Sequence, residues 1–395
     1  MLLRIIILLV LILVLPDAYI YLLYIRKWTT SKAKRLLWFL PAALLFLAMI
    51  IIICTNDMKP DHQVWASTFM LVCLLMFAPK ALFAVFDGIG HIVKNHIFRR
   101  CFRIIGMTLA MFSAFLICYG YFIGRHQYVV HQQTFYFSDL PQAFDGYRIA
   151  QFSDFHAGTF RDGNEDDVKT IVNLINNQRC NAIVFTGDIV NHQSTELDGM
   201  KRDLKHLSAP DGVYSVMGNH DYSMYIKYDN EQEREADVEE IHRKERSYGW
   251  NLLLNENRVI RHGRDSIAIV GVENDGLPPW PSLGDLPKAT EGLRKGTFCV
   301  LLSHDPTHWR RSVVPDTDIQ LTLSGHTHAG QFKVMGWSPV SLKYDEWSGA
   351  YCEGTQILNI SDGIGAVLFP FRFGAWPEIN VITLKKRQHT SSSRQ

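Results

Sequence analysis

Residues 148–156 read Arg148-Ile149-Ala150-Gln151-Phe152-Ser153-Asp154-Phe155-His156, a short apolar run with the look of a strand, broken off by an aspartate and, two residues on, a histidine. The same event recurs along the chain. Ala182 to Phe185 is followed by Gly187 and Asp188, and Val213 to Val216 by Gly218, Asn219, His220 and Asp221. Cys299 to Leu302 is followed by His304, and Ile319 to Leu323 by Gly325, His326, Thr327 and His328. Singly, each is an ordinary turn, since Gly, Asn and Asp tolerate positive φ. Five strands that each end in metal-ligand residue types are harder to explain that way. The carboxyl ends of strands are where α/β sheets build their sites.

Outward from these blocks the pattern stays α/β, with short β-branched runs alternating with amphipathic helices. Tyr128 to Phe137, Ile267 to Val270, Gln356 to Ile360 and Ile379 to Leu384 read as further strands. Asn164 is placed to cap a helix carrying Val168, Ile171, Val172 and Ile175, and a second helix carries Leu197, Met200, Leu204 and Leu207. The charged stretch from Glu231 to Tyr248 reads as a helix with a solvated face. One domain, 126–387, accounts for all of this. Residues 388–395 are a polar, Ser-rich tail expected to fray.

Upstream the composition changes. The 395 residues are 47% hydrophobic and 20% charged, which excludes disorder over most of the length. Up to Arg125 there are 13 basic and 4 acidic residues, net +9; the remaining 27 and 35 give −8. Four apolar runs, Ile5 to Ile25, Leu36 to Cys54, Val64 to Phe86 and Phe102 to Ile123, approach or exceed the roughly 17 to 25 residues of a bilayer-crossing helix. A soluble single domain is therefore excluded, and residues 1–125 read as a transmembrane region. Pro16 and Asp17 interrupt the first run, and Pro79 and Lys80 the third, for which a re-entrant or interfacial segment is the alternative. No small-residue cleavage site follows the first run, so it reads as a retained helix and not a signal peptide.

Basic loops are held in the cytoplasm. The loop after run one has Arg26, Lys27, Lys32, Lys34 and Arg35, and that before run four has Lys94, Arg99, Arg100 and Arg103. The loop after run two has only Lys59, beside Asp57 and Asp61, and Arg125 is the last Lys or Arg before Arg148. The C-terminal domain is thus expected outside the cytoplasm. The seven cysteines show no Cys-x-x-Cys spacing and read as small apolar residues, with a Cys180–Cys352 disulfide as the one pairing left open.

Taken in order, Asp154-x-His156, Gly187-Asp188, Gly218-Asn219-His220-Asp221, His304 and Gly325-His326-x-His328 resemble the five blocks of the calcineurin-like metallophosphoesterase superfamily. The resemblance covers roughly Arg148 to Leu384. Ser361-Asp362-Gly363-Ile364-Gly365, Arg372-Phe373-Gly374 and Pro377-Glu378-Ile379 resemble its membrane-anchored or exported phosphohydrolase branch, where an Arg is expected at Asp362 and a Gly at Ala329. The implied architecture is a four-layer αββα sandwich preceded by a bundle of about four transmembrane helices. The implied cofactors are two divalent metal ions, with Asp154, His156 and His328 in one site, Asn219, His304 and His326 in the other, and Asp188 bridging. Imidazole with carboxylate suits Mn, Fe or Zn without choosing among them.

Two such ions clamp a phosphate and acidify a bridging water for in-line attack on phosphorus. His220, next to a ligand, is the candidate acid for the leaving oxygen, with Asp221 orienting it; a capping histidine is the bland alternative. Asn191 and His192, just after the bridging Asp, are either supporting groups or an exposed turn. No Tyr follows Asp188, which disfavours the purple acid phosphatases. The Asp-Arg-Gly and Asn-His-Glu forms of protein Ser/Thr phosphatases are also missing. A net-negative domain without a basic stripe makes nucleic acid a poor substrate.

Tethering points instead to the lipid bilayer as partner and to a phosphorylated, lipid-linked substrate. Trp280, Trp337, Trp347, Phe369, Phe371, Phe373 and Trp376 are candidates for an apolar rim. The expectation is a membrane-anchored phosphodiesterase or pyrophosphatase. A catalytically weak membrane sensor or scaffold is the alternative, and a transporter is poorly supported because few ionisable residues lie within the runs, Asp17 being the clearest.

Overall fold

The computed structural model of the chain describes residues 14–55, 63–161 and 163–387. The start of the first apolar run at Ile5, the loop with Asp57, Lys59 and Asp61, and the 388–395 tail lie outside the described residues. Two compact units are present, Met1–Ile123 and Gly124–Gln395.

In the first unit the described helices include Leu40–Thr55, Gln63–Ile92 and His96–Phe122. Two apolar stretches, Trp65–Ile92 and His96–His126, are long enough to cross a membrane, while Leu40–Ile51 is a shorter apolar helix. The third run is one continuous 30-residue helix, about 45 Å long at 1.5 Å per residue, with Pro79 inside it. The residues that interrupt the apolar pattern are paired: Lys80 Nζ donates to Asp17 Oδ1 at 2.6 Å and lies over the Trp38 ring. Asp87, fully buried, accepts from Tyr19 Oη at 2.9 Å, Tyr24 Oη at 2.6 Å and Arg103 Nε at 3.0 Å. Charges in an apolar setting persist when satisfied this way. Val85, Ile104, Met111 and Phe115 stay exposed, as lipid-facing side chains do.

The second unit holds two six-stranded sheets. The first has the order β1-β12-β2-β3-β4-β5, with β1 Val129–Phe137, β2 Arg148–Phe152, β3 Ala182–Phe185, β4 Val213–Ser215, β5 Asn251–Leu252 and β12 Glu378–Lys386. The second has the order β10-β11-β9-β8-β7-β6, with β6 Glu256–His262, β7 Asp265–Gly271, β8 Phe298–Leu302, β9 Leu321–Ser324, β10 Gly349–Glu353 and β11 Gln356–Ile360. Strands β2 to β5 run parallel, and so do β7, β8, β9 and β11.

Side chains alternate along each strand and so serve two cores. Ile149, Ala182 and Val184 pack with Ile267, Ile269, Val300 and Leu323 in a core shared by both sheets. Ala150, Phe152, Ile183 and Phe185 face the other way, onto Val168, Ile171, Val172 and Ile175 of the helix Glu165–Asn176. Each such large side chain, fully buried, stabilises by about 1.5 to 3 kcal/mol. Ala268, Val270, Cys299 and Leu301 form a third cluster with Leu286, Trp309 and Val313.

Several sequence expectations change. Asn164 occupies the cap position, but its side chain donates to the Arg161 carbonyl, and Glu165, Asp166 and Asp167 favour the helix start through its dipole. Leu197, Met200, Leu204 and Leu207 are all buried, yet not on one helix: Leu197 ends a 3₁₀ turn, Met200 caps a single α turn that ends at Leu204, and Leu207 lies beyond it, with Gly199 at φ +84° between the two turns. The charged helix Glu231–Ser247 buries Ile241, His242 and Glu245. Strands β5, β6 and β10 escape a hydrophobic reading because they are sheet edges with few buried positions. Cys180 and Cys352 are both free thiols.

Candidate metal centre

Strands β2, β3 and β4 are neighbours in one sheet, and β8 and β9 in the other, so the five loops that follow them meet at one edge. The turns are sharp. Asp154, His156, Asp188, His326 and His328 all take positive φ, between 46° and 74°, a costly conformation for residues with a Cβ. Close approach of backbone to carboxylate explains two glycines. A Cβ on Gly218 would stand 2.2 Å from Asp188 Oδ1, and one on Gly325 would stand 2.3 Å from Asp154 Oδ2.

Two groups of ligand atoms result, Asp154 with His156 and His328, and Asp188 with His304 and His326, each group within 4.8 Å. Asp188 Oδ2 is 3.1 Å from His304 Nε2 and 3.7 Å from His156 Nε2, so its carboxylate faces both groups. Asn219 Oδ1 lies 2.8 Å from His326 Nδ1. The structure thus brings all seven sequence-derived ligands together. Carbonyls set the imidazole tautomers: His156 Nδ1 faces the Val190 carbonyl at 3.1 Å, and His304 Nδ1 the Thr186 carbonyl at 2.7 Å. An Nδ1–H donated there leaves Nε2 with its lone pair toward the centre. His304 Nε2 is fully buried and, though close to Asp188 Oδ2, makes no well-formed hydrogen bond, and His156 Nε2 faces His328 Nε2 at 3.1 Å. Imidazole nitrogens gathered beside the buried carboxylates of Asp154 and Asp188 are the donor set that divalent cations take.

The electrostatics agree. Burial alone would raise Asp188, but the imidazoles of His304 and His220 hold it well below the usual carboxylate range. Burial pulls His304 down, yet Asp188 pushes it up to about 10. A cation among these groups does the same electrostatic work as that proton.

His220 lies beside the two groups and belongs to neither. Its amide donates to Asp188 Oδ1 at 2.7 Å, and its ring stacks on Tyr225 with centroids 4.1 Å apart. The expected partnership with Asp221 is corrected here. His220 Nδ1 lies 2.6 Å from the Asn191 carbonyl, whereas Asp221 accepts the amides of Asp188, Ile189, Val190 and Gly218. A buried carboxylate in a turn is claimed by the nearest N–H groups, so Asp221 holds the Asp188 loop and Asn191 orients the imidazole. Glu196, accepting from the amides of Asn191 and His192, fixes that loop in turn.

A cavity of about 420 Å³ opens over the centre, lined among others by Asn191, His192, Tyr225, Trp280, Val340, Tyr344 and Leu368. Of the expected aromatic rim only Trp280 lines it. Phe371 and Phe373 stack on Phe332 instead, and Trp376 packs edge-on to Phe373. Tyr225, 2.5 Å from Asn219 Nδ2, and Tyr344, 3.0 Å from His326 Nε2, were missed in the sequence, where isolated tyrosines carry no spacing signal. Arg372, fully buried, lies 3.1 Å from His328 Nδ1 and donates to the Gly365 and Asp362 carbonyls. At the two departures, Asp362 pairs with Lys333 Nζ at 2.6 Å and Ala329 takes φ +47°.

Fold and site together define a metal-dependent phosphoester hydrolase. Residues 147–330 match the family described as calcineurin-like phosphoesterase, and residues 3–125 the family described as probable calcineurin-like phosphoesterase, transmembrane domain. The uncharacterized metallophosphoesterase YkuE of Bacillus subtilis strain 168 is 30% identical over 276 residues, 68% of this chain and 90% of that one. The chain belongs to the calcineurin-like phosphoesterase family, and it is a membrane protein. A transmembrane protein with metallophosphoesterase domain from Danio rerio is 28% identical over 62% of this chain, and the chain spans only 55% of that relative. Among solved structures, Haemophilus influenzae NAD nucleotidase aligns with a TM-score of 0.36 at 12% identity, over 55% of this chain and 45% of that one, too slight a likeness to bear on function.

Proposed function

We propose that the chain is a membrane-anchored dimetal phosphohydrolase that cleaves a phosphodiester or pyrophosphate bond of a lipid-linked substrate. The observation that carries this reading is the pair of ligand groups, Asp188 in one of them and facing His156 of the other, beneath a cavity with apolar walls. Asp154, His156 and His328 would hold one ion, Asn219, His304 and His326 the other, with Asp188 between them. Bound there, Mn, Fe or Zn would supply Lewis acidity toward a phosphoryl oxygen and toward water.

The chain's own groups do the rest. His220 keeps one ring nitrogen on the Asn191 carbonyl and turns the other to the centre, where its proton serves the leaving oxygen. Burial lowers its basicity, and the negative charge of a bound phosphate offsets that. Tyr225 and Tyr344 hold Asn219 and His326 in place, while Val340, Val367 and Leu368 exclude water on the side an apolar tail would occupy.

The architecture that accompanies this proposal is four membrane crossings ahead of a four-layer αββα domain. The domain is placed outside the cytoplasm because the basic loops favour the inside. The complete ligand set weighs against a sensor or scaffold. Purified full-length protein loaded with Mn should hydrolyse a bis-aryl phosphodiester and lose that activity to a chelator. Absence of turnover with Mn, Fe and Zn alike would refute the proposal.

A further inference from the structure

A strip of the second unit leaves large apolar side chains in the open beside the mouth of the cavity. Met335 is wholly exposed, Leu342 is 83% and Leu368 80% exposed, and Trp337 and Val334 are also exposed. Monomeric soluble surfaces seldom gather such residues on two adjoining segments. Those segments are tied together. Lys333 N donates to the Phe373 carbonyl at 2.8 Å, and Gln331 Nε2 to the carbonyls of Val367 and Phe369. Leu368 and Val340, from the same two segments, line the cavity over the ligand groups.

The chain enters the second unit beside this structure. The apolar stretch His96–His126 runs out three residues before β1 begins at Val129. Gly124, the first residue of the second unit, lies so close to the loop that a Cβ would stand 2.0 Å from the Arg372 carbonyl and 3.0 Å from Trp376. Trp376 in turn packs on Phe373, and Phe373 stacks on Phe332 at 6.0 Å. The first residue of the second unit and the segments that bear the exposed residues therefore pack together within that unit. Lys343, next to Leu342, lies over the Tyr344 ring with its ammonium at the edge of the strip, the arrangement of apolar, aromatic and cationic groups that suits a headgroup boundary.

We infer that this face, Val334, Met335, Trp337, Leu342 and Leu368, docks on the lipid surface of the bilayer that holds the helices. The cavity mouth then opens at headgroup level. The inference deepens the proposed function and rests on it only for the identity of the reaction. An amphiphilic phosphodiester would keep its tail among the lipids and present its phosphate to the ligand groups without leaving the membrane.

The test uses the full chain reconstituted in vesicles of phosphatidylcholine with brominated acyl chains, where bromine quenches nearby tryptophan. The Trp337 contribution is the emission of the wild type minus that of Trp337→Phe. Bromines at shallow acyl positions should reduce that contribution about twofold or more, as expected for an interfacial aromatic. Equal contributions in brominated and ordinary vesicles would overturn the inference, and so would a protein partner or second copy shielding Trp337 from lipid.

The double variant Met335→Asp/Leu342→Asp changes exposed positions that do not line the cavity. It should relieve the quenching. It should also slow hydrolysis of an acylated phosphodiester embedded in vesicles by about tenfold or more, the weight of one buried large apolar side chain, while a soluble aryl phosphodiester is turned over within about twofold of wild type. Unchanged rates on both substrates would overturn the inference. Quenching needs no turnover, so an inactive protein with a quenched Trp337 would refute the proposed reaction alone.

Discussion

Replacing Glu245 by Gln should make the protein more stable at alkaline pH. The residue lies on the helix Glu231–Ser247, is fully buried, and neither carboxylate oxygen makes a well-formed hydrogen bond. Burial pushes the carboxyl from 4.5 up to about 8, Asp221 adds in the same direction, and Ser215 and Arg246 offset only part. At about 1.36 kcal/mol per unit, that shift corresponds to roughly 5 kcal/mol between the neutral and ionised forms.

The folded state holds a proton that the unfolded chain has released. This carboxyl's stabilising contribution is therefore fully present below 4.5 and is lost as pH rises through about 8. Glutamine keeps the shape and has no charge to bury. Wild type and Glu245→Gln should melt at similar temperatures at pH 5. By pH 9 the variant should melt roughly 10 °C higher, since about 1 kcal/mol moves the midpoint of a domain this large by about 2 °C or more. Glu196 and Glu378, both pushed up to about 7 mainly by burial, give the wild type a slope of the same sign, so the variant-minus-wild-type difference is the quantity to follow. A difference that stays constant from pH 5 to pH 9, measured by thermal unfolding in one detergent, would refute the reasoning.

Asp188→Ala should reduce metal content at both sites after loading in excess Mn, read by elemental analysis, and Gly218→Ala should weaken binding by about 10- to 100-fold because its Cβ crowds the same carboxylate. His220→Ala should lower kcat by about 10² to 10⁴ with metal content near wild type; loss of metal together with activity would make His220 a ligand. Substrates with good leaving groups should be affected less. Cys352, exposed and free, should react with a membrane-impermeant maleimide in intact cells or spheroplasts, with Cys352→Ser as control, and labelling only after lysis would invert the proposed topology.

The reading from sequence worked best where one residue type can do one thing. Phe152-Ser153-Asp154 is legible because an apolar strand buried on both faces gives way to a polar residue of ligand type: a carboxylate after β2 and β3, Asn219 and His220 after β4, and a histidine after β8 and β9. It worked least well where a polar group had several partners within reach. Asp221 stands next to His220 in the chain and is paired with four amides instead. The same limit applies to Lys80, which looked like an interruption of a span and is the partner of Asp17, 63 residues away.

Sequence alone determined the alternation of strand and helix, the apolar N-terminal runs, and which seven side chains are of ligand type, because these depend on local periodicity and residue chemistry. The tertiary structure decided that those side chains converge, since the order of β2, β3 and β4 in one sheet and of β8 and β9 in the other follows from how distant segments pair. It also decided the roles of Asn191, Glu196, Tyr225, Tyr344 and Arg372, whose work is set by the hydrogen bonds they make across the fold. Spacing along a chain does not encode such contacts, because they arise between loops that are neighbours only once the two sheets have closed on their shared core.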